Sequence, residues 1–327
     1  MRLAIVVTIA ISIFLIVGIS AAQKDSQQTP DKPNKMPKEI VGKDGAKMVL
    51  IPAGEFLMGT DPSEIPELVQ FVKQWFPKAE ASWFEDETPR HTVYVDAFYM
   101  DAYEVTNQQY KKFVQATGHK EPEGFGIDRI EGGEVYLKSG FKPWDDRNYN
   151  EDNQPVVCVS WKDAKAYAEW AGKRLPTEAE WEYSARGGLA GKRYAWGDDW
   201  PPPKGSGNFA DETLKKAFPS CKIIDGYDDG YVYTAPVGSY KPNGYGLYDM
   251  AGNVWEWCAD WYDKKYYANS PKSNPTGQSS GSYRVLRGGS WSIHDVPALR
   301  TALRFGDVPS DLYYNVGFRC AGLKATP

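Results

Sequence analysis

Apolar positions in this chain form a few short periodic runs, separated by long stretches with no period. Met48 to Phe56 alternates and closes on Gly59, the pattern of a strand entering a turn. From Glu64 to Trp75, Leu68, Phe71, Val72 and Trp75 share one helical face. Glu85 to Tyr99 reads as an acidic loop followed by a strand. Between Asp101 and Thr117, Thr106-Asn107 supplies a cap, and Tyr110, Phe113 and Val114 then recur at helical spacing. Pro155 to Ser160 predicts a short buried strand. Ser160 caps a helix over Trp161 to Ala171, which stops before the cationic Lys173-Arg174. Thr177-Glu178-Ala179-Glu180 is a capping box opening a helix through Ala185. Beyond Gly187 the periodicity nearly vanishes until strands around Tyr283 to Leu286 and Val316 to Cys320. A few helices, short strands and long structured loops predict a single α+β domain with little regular secondary structure. No repeat of fixed period occurs.

The N-terminus has a separate logic. Arg2 precedes an apolar run from Leu3 to Ile19 that ends in Ser20-Ala21-Ala22. One positive charge, an apolar core and small residues at the cut predict a signal peptide over residues 1–22, with export to the periplasm, cell envelope or exterior. The competing reading is an uncleaved membrane anchor, for which the run is short against the roughly 20 residues of a span. Residues 23–45 are rich in Pro, Lys, Gln, Asp and Ser and predict a flexible linker, leaving a domain over residues 46–323. The chain of 327 residues contains 12 Trp, 21 Tyr, 31 Gly and 23 Pro. Aromatics provide large buried areas, and that much Gly and Pro implies many turns. A net charge of −5 gives no reason to expect nucleic acid as a partner.

Two groups of residues carry candidate chemistry. Cys158, Cys221, Cys258 and Cys320 lack metal-pair spacing; in an exported chain they allow three pairings that spacing alone does not rank, and the alternative is buried free thiols. Asp249 and Glu256 place two carboxylates in a glycine-bearing loop where backbone carbonyls also converge, and Asn208-Phe209 with Asp229-Gly230-Tyr231 repeats the theme upstream. Hard oxygen donors of mixed origin suit Ca²⁺; the plainer alternative is acids that cap turns or face water. No P-loop, dinucleotide fingerprint or G-x-S-x-G elbow occurs.

Eight stretches resemble, in order, the motifs of the sulfatase-modifying-factor, or formylglycine-generating-enzyme, family. They are IPAGEFLMG, ETPRHTVYVDAFYMDAYEVTNQQY, PVVCVSW, KRLPTEAEWEYSARGG, YAWGDDW, TAPVGSYKPNGYGLYDMAGNVWEW, VLRGGSW and NVGFRCA. They span Met48 to Ala321. The resemblance implies a C-type-lectin-like fold with a binding groove near the C-terminal loops. It also implies two structural calcium sites. The first would use the Asn208 side chain, the Phe209 carbonyl, the Asp229 carboxylate and the Tyr231 carbonyl. The second would use Asp249, the carbonyls of Gly252 and Val254, and Glu256.

The family's enzymes bind copper(I) through two cysteines just after the GGS motif and oxidise a sulfatase cysteine to formylglycine. Here Gly288-Gly289-Ser290 leads to Ile293 at the first cysteine position and to Val296–Ala298 at the second, and no cysteine lies between Ala259 and Arg319. No copper site is therefore expected. The family's disulfide partner for Cys320 falls on Ala168. The three histidines, His91, His119 and His294, are too scattered for the His₃ iron site of other branches.

The stretch from Arg284 to Ala321 also resembles the ligand-binding end of lectin-fold variable proteins made by diversity-generating retroelements. On either resemblance, ligand contacts are expected from Trp291, Ser292, His294, Phe305, Tyr313 and Tyr314, with Arg300 or Arg304 serving acidic groups. For Trp291 and Phe305 the alternative is core packing. The expected function is an exported binding or accessory module for a peptide, protein or glycan. The alternatives are an oxidoreductase or maturation factor of the family acting on an exported protein through an unrecognised site, and a ligand-binding protein of the diversity-generating-retroelement type.

Overall fold

The computed structural model describes residues 36–131, 134–294 and 296–324; the signal segment 1–22 lies outside them. The fold begins earlier than the composition suggests. Strand β1 (Glu39–Val41) pairs antiparallel with β2 (Lys47–Ile51), so the boundary at residue 46 moves upstream. The buried Asp44 carboxylate accepts hydrogen bonds from Lys173 Nζ and Tyr167 Oη, both at 2.7 Å, which ties the end of the proposed linker into the domain.

Three of the four sequence-read helices start where local capping dictates. In α2 (Asn107–Thr117), α3 (Trp161–Trp170) and α4 (Glu178–Arg186), Thr106, Ser160 and Thr177 each close a capping box. Helix α1 (Ile65–Val72) buries Leu68 and Val72. The Met48–Phe56 run is broken after Ile51 into β2 and β3 (Gly54–Met58), and the latter pairs with β4 (His91–Val95). Strand β5 (Phe98–Asp101) joins β2 to the final strand β12 (Ala321–Lys324), giving a sheet ordered β1-β2-β5-β12.

Two expectations fail for tertiary reasons. Pro155 to Ser160 is buried but is not a strand: Cys158 has φ 58°, which breaks the extended run, and only an isolated bridge from Thr106 to Pro155 remains. The acidic loop around Glu85 is a 3₁₀ turn over Ala81–Glu87 that buries Asp86 and Glu87. Other elements carry no readable period. The hairpin β6 (Gly124–Glu131) and β7 (Glu134–Phe141) projects with Phe125, Tyr136 and Leu137 exposed. Helix α5 (Glu212–Ala217) is capped by Asp211. Strand β8 (Trp255–Trp261) lies inside the sheet β10-β9-β8-β11, with β9 (Arg284–Arg287), β10 (Phe305–Asp307) and β11 (Val316–Gly317). Three apolar clusters surround it: one centred on Trp181 and Cys258, a second on Tyr167 and Cys320, and a third on Trp291 and Cys158. All four cysteines are free, and Cys158, Cys258 and Cys320 are buried.

Among the described residues no helix is long and apolar enough to cross a membrane.

Candidate functional site

The site is assembled where the loop 248–256 meets the turn 288–290. Gly252 N donates to the Gly288 carbonyl at 2.9 Å, and Trp291 N donates to the Asn253 carbonyl at 2.9 Å. Gly289 has φ 77°, and a Cβ there would sit 2.9 Å from Leu299 Cδ2 and 3.1 Å from the Ala298 carbonyl oxygen. Both facts require glycine at this turn.

After that turn lies a small polar cluster. Ser290 Oγ and Ser292 Oγ are 3.1 Å apart, and Asn315 Nδ2 donates to them at 3.1 and 3.3 Å. Asn315 and Ser290 were not singled out in the sequence, although both lie within recognised stretches. Ile293 packs against the apolar cluster of Tyr194, Phe209 and Leu299, to which Phe71 and Trp75 of the α1 region also contribute. The first copper-ligand position therefore holds an aliphatic side chain embedded among apolar and aromatic ones. Asp295 lies outside the described residues.

The expected ligand residues divide sharply. Trp291 is 1% exposed and packs on Tyr233 and Tyr314, so it is core; Tyr314 is buried as well. Arg300 is 5% exposed, with Nη1 and Nη2 on the Glu87 carboxylate at 2.7 and 2.5 Å. Arg304 is 4% exposed and is held by Glu178 through Nε at 2.6 Å and Nη2 at 2.8 Å. These two arginines are committed to internal carboxylates and do not offer themselves to an acidic ligand. Ser292, His294 and Tyr313 are half-buried, and Phe305 is 50% exposed.

The accessible aromatic surface is broader than the sequence indicated. Phe305 lies against Trp255 at 5.7 Å between centroids, and Tyr313 against Phe125 of the hairpin, also at 5.7 Å. Asp307 lies in the same strand as Phe305, and burial together with the neighbouring Asp311 pushes its carboxyl up to about 6.

Behind this surface are the oxygen-rich loops. Asn208 Nδ2 donates to the Tyr233 carbonyl and to Asn253 Oδ1, while its own Oδ1 is buried without a partner among the described residues. Asp229 accepts from Phe209 N and Tyr231 N, both at 2.9 Å, and burial with Asp211 nearby raises its carboxyl to about 8. In the second loop, Asp249 Oδ2 accepts from Gly238 N at 2.7 Å, and Oδ1 is likewise buried and unpartnered. Glu256 is more occupied than expected. It takes Arg319 in a two-pronged pair, Nη2 to Oε1 and Nε to Oε2, and also accepts from Trp181 Nε1.

Sequence reading missed Glu104, Asn253 and Arg319. Glu104 accepts from Asn253 Nδ2 at 2.6 Å and Val254 N at 3.2 Å, so it braces the second loop, and Asn253 Oδ1 links that loop to Asn208. Burial, with Asp249 and Glu256 close by, drives the Glu104 carboxyl well above its usual range. Glu104, Asp249 and Glu256 against the single Arg319 leave excess negative charge in a dry interior, the setting in which a cation is favoured. Orphaned Asn208 Oδ1 and Asp249 Oδ1 are oxygen donors of the kind Ca²⁺ takes, so the residues fit the ion. Among the described residues no three His, Cys, Asp or Glu side chains cluster as a metal site, so carbonyl oxygens would have to complete either shell.

This low-ladder α+β fold and its GGS turn define a sulfatase-modifying-factor domain. Residues 33–323 match the family model of the sulfatase-modifying factor enzyme 1-like domain, and the chain belongs to that family. It is 42% identical over 298 residues to the formylglycine-generating enzyme of Streptomyces coelicolor, covering 84% of this chain and 88% of that one. It is 34% identical over 308 residues to the inactive C-alpha-formylglycine-generating enzyme 2 of Mus musculus, covering 86% and 87%. Among solved structures, PvdO from Pseudomonas aeruginosa superposes with TM-score 0.61 at 30% identity, covering 88% and 98%. The Treponema denticola variable protein 1 shares the fold with TM-score 0.58 at 23% identity, covering 88% and 99%.

Proposed function

We propose that this protein is an exported, calcium-stabilised binding module that recognises a peptide, protein or glycan through the loops after Ser290, without copper oxidation chemistry. The observation that carries the reading is Ile293. It stands where the family's enzymes place a thiolate, its side chain is packed into an aromatic cluster, and no cysteine lies between Ala259 and Arg319. Copper(I) is held by soft thiolates, and neither Ile293 nor Ala298 offers one. Cys258 and Cys320 are buried in separate cores and supply no pair. The likeness to a relative named as an inactive formylglycine-generating enzyme agrees with this.

The ligand surface is Phe305, Trp255, Tyr313 and Phe125, with Ser292 and the Asp307–Asp311 pair at its margin and His294, which lies against Phe76, in the loop leading on from Ser292. Aromatic faces on a rigid frame give contact area with little entropy lost, and nearby carboxylates and hydroxyls suit sugar hydroxyls or a basic peptide. Calcium would be held at the first site by Asn208 and Asp229 with the Phe209 and Tyr231 carbonyls. At the second it would be held by Asp249 and the remaining lone pair of Glu256 Oε1, with the Gly252 and Val254 carbonyls. Its contribution would be positive charge that lets buried acids stay ionised and pins both loops.

The 42% identity to a formylglycine-generating enzyme favours the competing reading, a maturation enzyme acting on an exported protein. Incubating the full chain with copper and a CxPxR-type peptide separates the two by mass. We expect the cysteine to remain; its conversion to an aldehyde would overturn the binding-module reading. An array of glycans and cell-envelope peptides would then identify the ligand.

A further inference from the structure

A pocket of about 320 Å³ opens beside α3, and none of its lining residues belongs to the surface proposed above. Its apolar lining is Val95 at the end of β4, Leu175, Ala179 of α4, Ala259 of β8 and Trp161 at the start of α3. Val95, Leu175 and Ala179 are buried members of the two large cores and fix the floor. Trp161 is a fixed wall: its Nε1 donates to the Cys258 carbonyl at 2.8 Å, and the Arg284 guanidinium lies 3.6 Å from its ring centroid. Lys165, Glu169 and Thr276 are exposed and stand at the mouth.

Two features define what can occupy this pocket. The first is that the charges in its lining cancel in pairs. Arg174 donates from Nη1 and Nη2 to the two Glu180 oxygens at 2.6 and 2.7 Å, and Lys165 pairs with Glu169 on the same helix. A charged ligand would lose its hydration against an apolar floor without gaining a counter-ion, whereas an uncharged one meets no such cost. The second is that water is poorly held there. A water molecule needs about two to four polar partners, and the polar groups nearby are already engaged. Asn274 accepts from Asp96 N at 2.8 Å and donates to the Asp96 carboxylate at 3.0 Å, while Thr177 Oγ accepts from Glu180 N at 3.2 Å. Displacing poorly ordered water by an apolar group gains affinity.

We propose that this pocket binds a small, uncharged, mainly apolar molecule, about two to three rings in size, with at most a hydroxyl directed at Thr276. The volume is at the lower end of the roughly 300–1,000 Å³ of small-molecule sites, which sets that size. Trp161 supplies an aromatic surface already held in place, so little order is lost on binding. A protein partner is not the occupant. Among the described residues, none that lines the pocket is an exposed large apolar side chain, whereas a stable interface buries about 800 Å² on each partner.

The test is a fluorescence titration of the full chain with two dyes. Phenylnaphthylamine is uncharged and brightens in apolar sites; anilinonaphthalenesulfonate is the same ring body carrying a sulfonate. We expect saturable binding of the uncharged dye at a single site, at least about tenfold tighter than that of the sulfonate. Ala259→Leu, which fills the pocket from β8, should weaken the uncharged dye at least about tenfold while the thermal melt stays normal. Ala259→Val, smaller and β-branched as strands favour, should weaken it several-fold and serves if the leucine variant does not fold. Absence of saturable binding would overturn the proposal. So would a sulfonate that binds as tightly as the uncharged dye, or binding that survives in a folded Ala259 variant, which would place the dye on the exposed aromatic surface instead.

Discussion

Replacing Arg304 by Met separates a core arginine from a ligand-binding one. The guanidinium donates to Glu178 at 2.6 and 2.8 Å, and its Nη1 reaches the carbonyls of Asp86 at 2.8 Å and Asp263 at 3.1 Å. The Tyr267 ring lies 4.1 Å from it. The Arg304 and Glu178 side chains are 0% and 2% exposed, so water does not compensate for a lost partner. Removing one member of such a pair typically costs 3–5 kcal/mol, because the other charge stays buried. Arg287 Nη1, at 3.3 Å from Glu178, offsets part of this. We therefore expect a loss of about 4 kcal/mol, a large share of the roughly 5–15 kcal/mol that holds a domain together. With a urea m-value of about 3 kcal/mol/M, the midpoint should fall by about 1.3 M. Adding Glu178→Gln to Arg304→Met should cost less than the sum of the single changes by about 2 kcal/mol. A loss below about 1 kcal/mol, accompanied by collapse of binding to the identified ligand, would show that Arg304 faces that ligand.

Three further outcomes are expected. Calcium should raise the melting temperature of chelator-treated protein by RT ln(1 + [L]/Kd), and Asp229→Ala or Asp249→Ala should reduce that response while Asp198→Ala leaves it intact; an unchanged melt after EGTA dialysis counts against both calcium sites. Tyr313→Ala and His294→Ala should weaken ligand binding at least several-fold while moving stability by no more than about 1 kcal/mol, as checked by titration and urea melts of the same samples. Because the Asp307 carboxyl is raised to about 6 by burial and Asp311, it gains its charge as pH rises through that value, so affinity for a cationic ligand should increase from pH 5 to pH 7; a flat profile removes Asp307 from the binding surface.

Local chemistry was legible in the residues themselves. Thr106, Ser160 and Thr177 start helices because each side chain reaches a backbone N–H only three positions away, a contact the chain makes with itself wherever it folds. The family, the aliphatic side chain at the first copper position and the absence of cysteine over the catalytic stretch were equally plain from the order of the residues. What the residues could not disclose were pairings across long separations. Glu39–Val41 looked like linker because its partner strand, not its own hydrophobicity, holds it in place. The β6–β7 hairpin had no clear alternation because much of its surface faces solvent. Arg300 and Arg304 read as free cations because the carboxylates that bury them lie 213 and 126 positions away. Glu104 and Asn253 were unremarkable letters inside motifs until the fold set them against each other, 149 positions apart. Whether a charged side chain meets water or an opposite charge depends on which distant segment packs over it, and only the tertiary structure decides that.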